Sequence, residues 1–400
     1  MKKNPSLNLL FISVYESRTM TCLREYINPN TNCRIDTMTF GIPISLDGKI
    51  IQEIIFTRAN GEIIDKTLRF EFPYQKWIFS FLKFFIHLYG FFLFFEITKG
   101  KKYHIAIAET STLNTFVWLF KKLGKCEMSV AHINDIYATE KKKIIHKLSM
   151  NGQIILRRLA YKNDLMWYLH ERLREWDEEH GFHAKNSFTE IDSFDAEKVK
   201  KFREDKKQTN QLCYIGRMDP FSGLDIILMS IRTIQKKIPD IKLKIIGGYN
   251  KTDIAHYRNL AQRENVLDYV EFLGYIEDRN RVEQIIRESA LGIAIYKPDK
   301  QNGVMYTVPG KVSDYLQMGT PVVISENGPP VTEAIEKFGA GILVQFDPLD
   351  AAEKIINVLL QQEKYNILRD GVVRLTKEWS HSQIQPRVFG NLIHFYETHF

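Results

Sequence analysis

The chain is poor in cysteine: among its 400 residues only Cys22, Cys33, Cys126 and Cys213 occur, widely spaced and without a CxxC pair. That excludes a disulfide scaffold and leaves reduced thiols as the simplest reading. No strand-like run is followed by G-x-G-x-x-G, which argues against a plain dinucleotide-dependent oxidoreductase. No basic run with interleaved aromatics suggests a nucleic-acid module, so nucleic acid is not an expected partner. No metal-ligand spacing and no paired carboxylates stand out, and neither a metal nor a cofactor is expected. The basic start, Met1-Lys2-Lys3, leads into an apolar run too short for a signal peptide, Leu9 to Val14, which reads as a first strand. A cytoplasmic protein is expected, either free or held peripherally on the cytoplasmic face of a membrane.

What is present is enough apolar content, 44%, to bury substantial cores, together with a moderate net charge of +7 that favours anionic ligands or a phospholipid surface. The C-terminal half is the more regular. Strands are predicted at Gln211 to Gly216, Ile241 to Ile246, Val270 to Leu273, Gly292 to Tyr296, Pro321 to Ile324 and Gly341 to Val344, with helices between them. Such alternation predicts a mostly parallel sheet covered on both faces, with a ligand site at the carboxyl ends of its strands. The N-terminal half shows the same grammar less clearly, with strands near Leu9 to Val14, His104 to Ala108 and Met128 to His132. The charge-rich stretch Glu197 to Gln211 reads as a linker. The domains expected are therefore 1–203 and 204–381, followed by a helix over 382–400 that can pack back on the first domain.

The most informative stretch runs from Pro309 to Val323, PGKVSDYLQMGTPVV. It predicts a helix closed by Gly319-Thr320-Pro321 and followed by a buried strand. Lys311 lies in the first turn, where backbone N–H groups and the macrodipole already favour anions, and a pyrophosphate would suit it. Asp314, three residues on and on the same face, is placed to accept hydrogen bonds from ribose hydroxyls. The bland alternative is a solvent-exposed Lys311–Asp314 pair, worth about 0.2–0.5 kcal/mol.

Four segments taken in order, Tyr214-Ile215-Gly216-Arg217 through Asp225, Leu243 to Gly248, Phe272-Leu273-Gly274-Tyr275-Ile276 and Pro309 to Val323, resemble the nucleotide-sugar half of family 4 (group 1) glycosyltransferases. The resemblance covers about residues 211–345, and more weakly Asn163 to Phe182. It implies a GT-B fold of two facing Rossmann-like domains, the first for the acceptor and the second for the donor. It also implies sugar transfer from a nucleotide diphosphate, UDP- or GDP-linked, without a bound metal and with retention of configuration. Arg217 falls on the family's diphosphate-binding arginine, its alternative being a turn pair with Asp219. Lys311 falls on a Pro-x-Lys variant, and Asp314 on the second acid of an E-x7-E motif that contacts ribose. Gly216 and Gly247 end strands beside the donor, and Gly274 and Tyr275 match a loop that meets the base. Three departures accompany this. The family's lysine shortly after the arginine is replaced around Phe221-Ser222-Gly223, Tyr306 stands where the first acid would be, and Val14-Tyr15-Glu16-Ser17-Arg18 replaces the glycine-rich loop.

In the N-terminal half, His132 and Asp135 directly follow a predicted strand and are the catalytic candidates there, a structural histidine being the alternative. Trp77 to Ile97 is nearly continuous in apolar residues, interrupted by Lys83, His87 and Glu96 and bounded by Lys76, Lys99, Lys101 and Lys102. A membrane span is disfavoured by the mid-segment lysine. The segment is expected either to be buried in the N-terminal domain or to lie in the interface of an anionic leaflet, through residues 76–102. The second choice fits a glycan or lipid-linked acceptor.

Overall fold

The computed structural model describes residues 6–14, 18–40, 44–46, 49–52, 54–57, 63–64, 70–73, 88–96, 98–136, 154–205, 207–248, 251–299 and 302–400. The chain forms two compact units, Met1–Ser193 with His381–Phe400, and Phe194–Ser380.

In the first unit, β1 (Asn8–Val14), β2 (Arg34–Phe40), β5 (Ile54–Thr57), β6 (Ile63–Ile64), β8 (Tyr103–Glu109), β9 (Cys126–Ile133), β10 (Leu165–Tyr168) and β11 (Ser187–Thr189) form one sheet. Its order is β11-β10-β9-β8-β1-β2-β5-β6, parallel from β11 through β2 and antiparallel at the β5–β6 edge. A separate antiparallel sheet joins β3 (Ile44–Leu46), β4 (Lys49–Gln52) and β7 (Phe70–Pro73). The last helix, His381–His399, belongs to this unit. Tyr26 meets Phe389 edge-on at 6.2 Å, Gln385 donates to the Ser193 hydroxyl at 2.7 Å, and Arg387 pairs with Glu190 at 3.0 Å.

The second unit holds six parallel strands, β12 (Gln208–Ile215), β13 (Lys242–Ile246), β14 (Val270–Gly274), β15 (Ser289–Ala294), β16 (Val322–Ser325) and β17 (Gly341–Val344), in the order β14-β13-β12-β15-β16-β17. Numbered within the unit this is 3-2-1-4-5-6, the doubly wound arrangement in which the winding reverses between β12 and β15. Such strands are buried on both faces and read as continuous apolar runs; β15 and β16 have no exposed residue. The helix Leu224–Ile234 buries Leu224, Ile227, Leu228 and Ile231 at helical spacing, each contributing about 1.5–3 kcal/mol.

The stretch expected as a linker is an ordered helix and the start of a strand. Ala196–Arg203 is capped by Asp195, whose carboxylate accepts the Lys198 N–H at 3.0 Å, and Arg203 pairs with Asp370 at 2.7 Å. Its exposed Lys200 and Lys201 disguise an inward face built on Val199 and Phe202. The chain therefore passes between units at 193/194, ten residues before the expected 203/204, and returns at 380/381 rather than 381/382. The Phe194 N–H bonds the Trp379 carbonyl at 2.8 Å, and their rings stack at 6.3 Å.

Of the apolar run Trp77 to Ile97, residues 77–87 and 97 lie outside the described part. In 88–96, Phe91 and Phe94 stack on Phe120 at 4.8 and 4.3 Å, so this half contributes to the core. Tyr89 and Phe92 face outward, 48% and 60% exposed. Among the described residues no helix is long and apolar enough to cross a membrane.

Candidate functional site

Three strands of the second unit end on glycines selected from the sequence: Gly216 follows β12, Gly247 follows β13, and Gly274 closes β14. The Gly216 N–H donates to Ile246 O at 3.0 Å and the Gly247 N–H to Gly274 O at 2.7 Å, which keeps the strand ends in register beyond the sheet. At Gly247, φ is +122° and a Cβ would lie 2.1 Å from the Gly216 carbonyl oxygen, so only glycine fits. Tyr275, next to Gly274, is exposed.

Lys311 reaches this edge because of Tyr315. The Tyr315 ring is fully buried over Gly292, where a Cβ would meet it at 2.3 Å. Its hydroxyl accepts the Ile215 N–H at 3.0 Å and donates to the Ile293 carbonyl at 3.2 Å. The helix Gly310–Gln317 is thereby pinned across β12 and β15, at the point where the winding reverses. One turn earlier on the same face, the Lys311 ammonium lies 4.0 Å from the Tyr214 ring centre and 5.2 Å from that of Tyr296. A Cβ on Gly216 would sit 3.4 Å from Lys311 Cε.

Lys311 makes no ion pair or hydrogen bond with the described residues. The residue keeps some exposed surface, yet burial of its ammonium pulls the pKa down to about 7; Asp219 acts against this and Arg217 adds to it. The two cations chosen from sequence therefore act on one locality. Arg217 is 80% exposed and pairs loosely with Asp219 at 3.6 Å, as its bland reading anticipates. Its carbonyl accepts the Tyr214 hydroxyl.

No Lys311–Asp314 pair forms. Both Asp314 oxygens are instead taken by Arg279, one at 3.3 Å, and Arg279 also bonds Glu283 at 3.3 Å. Nothing in the local sequence signals Arg279, because the contact spans 35 residues. Ser222 is buried and its hydroxyl donates to the Asp219 carbonyl at 2.6 Å, while a Cβ on Gly223 would lie 2.5 Å from the Ile295 carbonyl oxygen.

His132 and Asp135 belong to the first unit and do not form a pair. His132 is fully buried against Trp167, with ring centres 4.3 Å apart, and neither ring nitrogen has a hydrogen bond among the described residues. The buried Glu109 carboxylate lies 3.6 Å from its Nδ1. Asp135 is exposed and accepts the Ile136 N–H at 2.8 Å. Glu109 and His132 stand near the carboxyl ends of adjacent parallel strands, a neighbourhood that sequence alone did not reveal. Residues 15–17, which follow β1 in the sequence, lie outside the described part.

A family model described as "Glycosyl transferases group 1" matches residues 209–361. An uncharacterized glycosyltransferase of Haemophilus influenzae is 23% identical over 184 residues, 44% of this chain and 49% of the relative, so the chain spans about half the length of the curated relative it matches. Among solved structures, Anabaena HepE in complex with UDP aligns over 97% of this chain and all of that one, with TM-score 0.64 and 12% identity. Sucrose-phosphate synthase from Thermosynechococcus elongatus aligns over 98% and 100%, with TM-score 0.69 and 14% identity. These likenesses and the two parallel-sheet units define the class: the protein has a GT-B fold. Within that class, residues 209–361 match the model of the group 1 glycosyltransferases.

Proposed function

We propose that this protein transfers a sugar from a nucleoside diphosphate donor to an acceptor hydroxyl, with the diphosphate held at the N-terminus of the helix Gly310–Gln317. The observation that carries the reading is the Lys311 ammonium, set beside the rings of Tyr214 and Tyr296 with no ion pair or hydrogen bond among the described residues, where the winding of the sheet reverses. A buried cation left without a partner is costly, and an anionic ligand relieves it. In such a transfer the bond from the anomeric carbon to the phosphate oxygen breaks and charge accumulates on the departing diphosphate. Cations fixed there act on the transition state. Lys311 supplies the held charge and the exposed Arg217 closes over the phosphate. In this reading side chains take the place of a metal, the configuration is retained, and the leaving phosphate oxygen assists deprotonation of the acceptor.

HepE is seen with UDP and with UDP-glucose, which makes uridine nucleotides the first to test. The test is a thermal-shift screen of the intact protein with UDP-, GDP-, CDP- and ADP-sugars, repeated with EDTA. One donor is expected to raise the melting temperature and EDTA to leave the shift in place; no response to any donor rejects the reading. The acceptor we infer is a glycan or lipid-linked precursor, met by a protein attached peripherally to the cytoplasmic face of the membrane. Exposed Tyr89 and Phe92 and the basic residues after them support that choice. A second reading, a nucleotide-sugar-binding scaffold without turnover, is favoured by Tyr306 in place of the first acid and by Arg279 occupying Asp314. Donor hydrolysis by the purified protein separates the two.

A further inference from the structure

Next to Lys311 lies a second buried polar group without a partner. Tyr296 follows β15 and is 3% exposed, and its hydroxyl makes no hydrogen bond among the described residues. Its backbone is fixed on both sides by Ser325: the Tyr296 N–H donates to the Ser325 hydroxyl at 2.6 Å, and that hydroxyl donates to the Tyr296 carbonyl at 2.7 Å. The two rings beside the Lys311 ammonium are thus unlike. The Tyr214 hydroxyl is committed to the Arg217 carbonyl, whereas the Tyr296 hydroxyl retains an unused donor. The Asp219 carboxylate and the Arg217 guanidinium act on both Lys311 and Tyr296, so the four groups share one neighbourhood.

Buried hydroxyls are nearly always bonded, and each exception calls for an occupant. Here that hydroxyl belongs to a ring whose centre lies 5.2 Å from the Lys311 ammonium, which makes no ion pair or hydrogen bond among the described residues, and one anion can serve both. We propose that the Tyr296 hydroxyl is a phosphate-binding donor, acting with Lys311 on one oxyanion of the diphosphate, where no lysine stands around Ser222 and Gly223. This rests on the nucleotide reading above and assigns it a residue that the motifs of the sequence do not mark.

The test titrates wild type and Tyr296→Phe calorimetrically with UDP, GDP, CDP and ADP, and with the nucleoside matching whichever diphosphate binds. Tyr296→Phe removes one oxygen and keeps the ring. It is expected to weaken the diphosphate about tenfold, as a hydrogen bond to a charged group does, while leaving the affinity for the nucleoside and the unliganded melting temperature unchanged. Equal diphosphate affinity in both proteins overturns the assignment and makes a buried water the hydroxyl's partner. An equal loss for diphosphate and nucleoside also overturns it, because the hydroxyl then supports the site only generally. If wild type binds none of the four diphosphates, the nucleotide reading itself fails, and the assignment with it. A double variant with Lys311→Met supplies a further check: the two losses are expected to combine to less than their sum, as for groups sharing one ligand atom.

Discussion

The two units each bury a cation, and they treat it in opposite ways. In the first, the Arg157 guanidinium is enclosed by Trp176 and Phe182 and pairs with a fully buried Asp177, which also accepts the Tyr161 hydroxyl; Tyr161 in turn bonds the Tyr168 hydroxyl at 2.7 Å. Burial pushes the Asp177 carboxyl up and the Arg157 charge pulls it back. In the second, Lys311 lies beside the rings of Tyr214 and Tyr296 and forms no ion pair among the described residues. A buried charge matched within its own unit is structural, since removing either partner strands the other. A buried charge that its unit leaves unmatched costs stability, and ligand binding is the event that recovers it.

The sharpest way to break this contrast is to remove one member from each side. Asp177→Ala leaves Arg157 buried and alone, and a loss of about 3–5 kcal/mol is expected by urea denaturation. Restoring neutrality with Arg157→Met in the same chain should recover part of it. Lys311→Met should do the reverse, leaving the unliganded protein as stable as wild type or more so. It should cost about 1.5–3 kcal/mol of UDP binding by calorimetry. A Lys311→Met protein that is destabilised yet binds UDP normally would make Lys311 a packing residue like Arg157.

A gentler test uses pH. The Lys311 ammonium titrates near 7 in the folded protein and near 10.5 when solvated. Between those values the unfolded chain holds the proton and the folded chain does not. This group's contribution to stability is therefore least favourable below pH 7 and improves as pH rises toward 10.5. UDP binding has the opposite sign, because the diphosphate prefers the protonated amine. Its affinity should fall above pH 7 by up to about tenfold per pH unit. Both trends should vanish in Lys311→Met, and a wild-type UDP affinity that is flat from pH 6 to 9 would contradict the assignment.

Much of the second unit was legible because its signals are local. Pro309-Gly310 opens a helix, Gly319-Thr320-Pro321 ends it, and apolar runs mark the strands, so Lys311, Gly216 and Gly247 fall on the same sheet edge from sequence alone. Tyr296 and Arg279 were not legible. Their roles depend on contacts across β15 and across 35 residues, and neither stands in a motif. The helix Ala196–Arg203 reads as a linker because Ala196, Val199 and Phe202 among many charges give only a weak period. In the first unit the short antiparallel strands β3 to β7 carry too few residues for alternation to register, and His132 looked like a cleft residue although its strand buries it completely.

The smallest expected effect concerns the surface of the first unit. The helical residues 88–96 turn Phe91 and Phe94 inward and leave Phe92 outward, so the same apolar run has one structural face and one free face. If the free face meets an anionic leaflet, Phe92→Ser should lower recovery with phosphatidylglycerol-containing vesicles in a flotation assay at low salt. It should leave the melting temperature unchanged, because the ring is already 60% exposed. One aromatic ring contributes only part of an interfacial affinity that also draws on nearby lysines, so a severalfold reduction is expected rather than complete loss. Raising the salt should weaken wild type and variant alike, since the charge term is screened within about 10 Å at 0.1 M. Wild-type protein that fails to float at low salt removes the membrane from the proposal and leaves the helix with its core role alone.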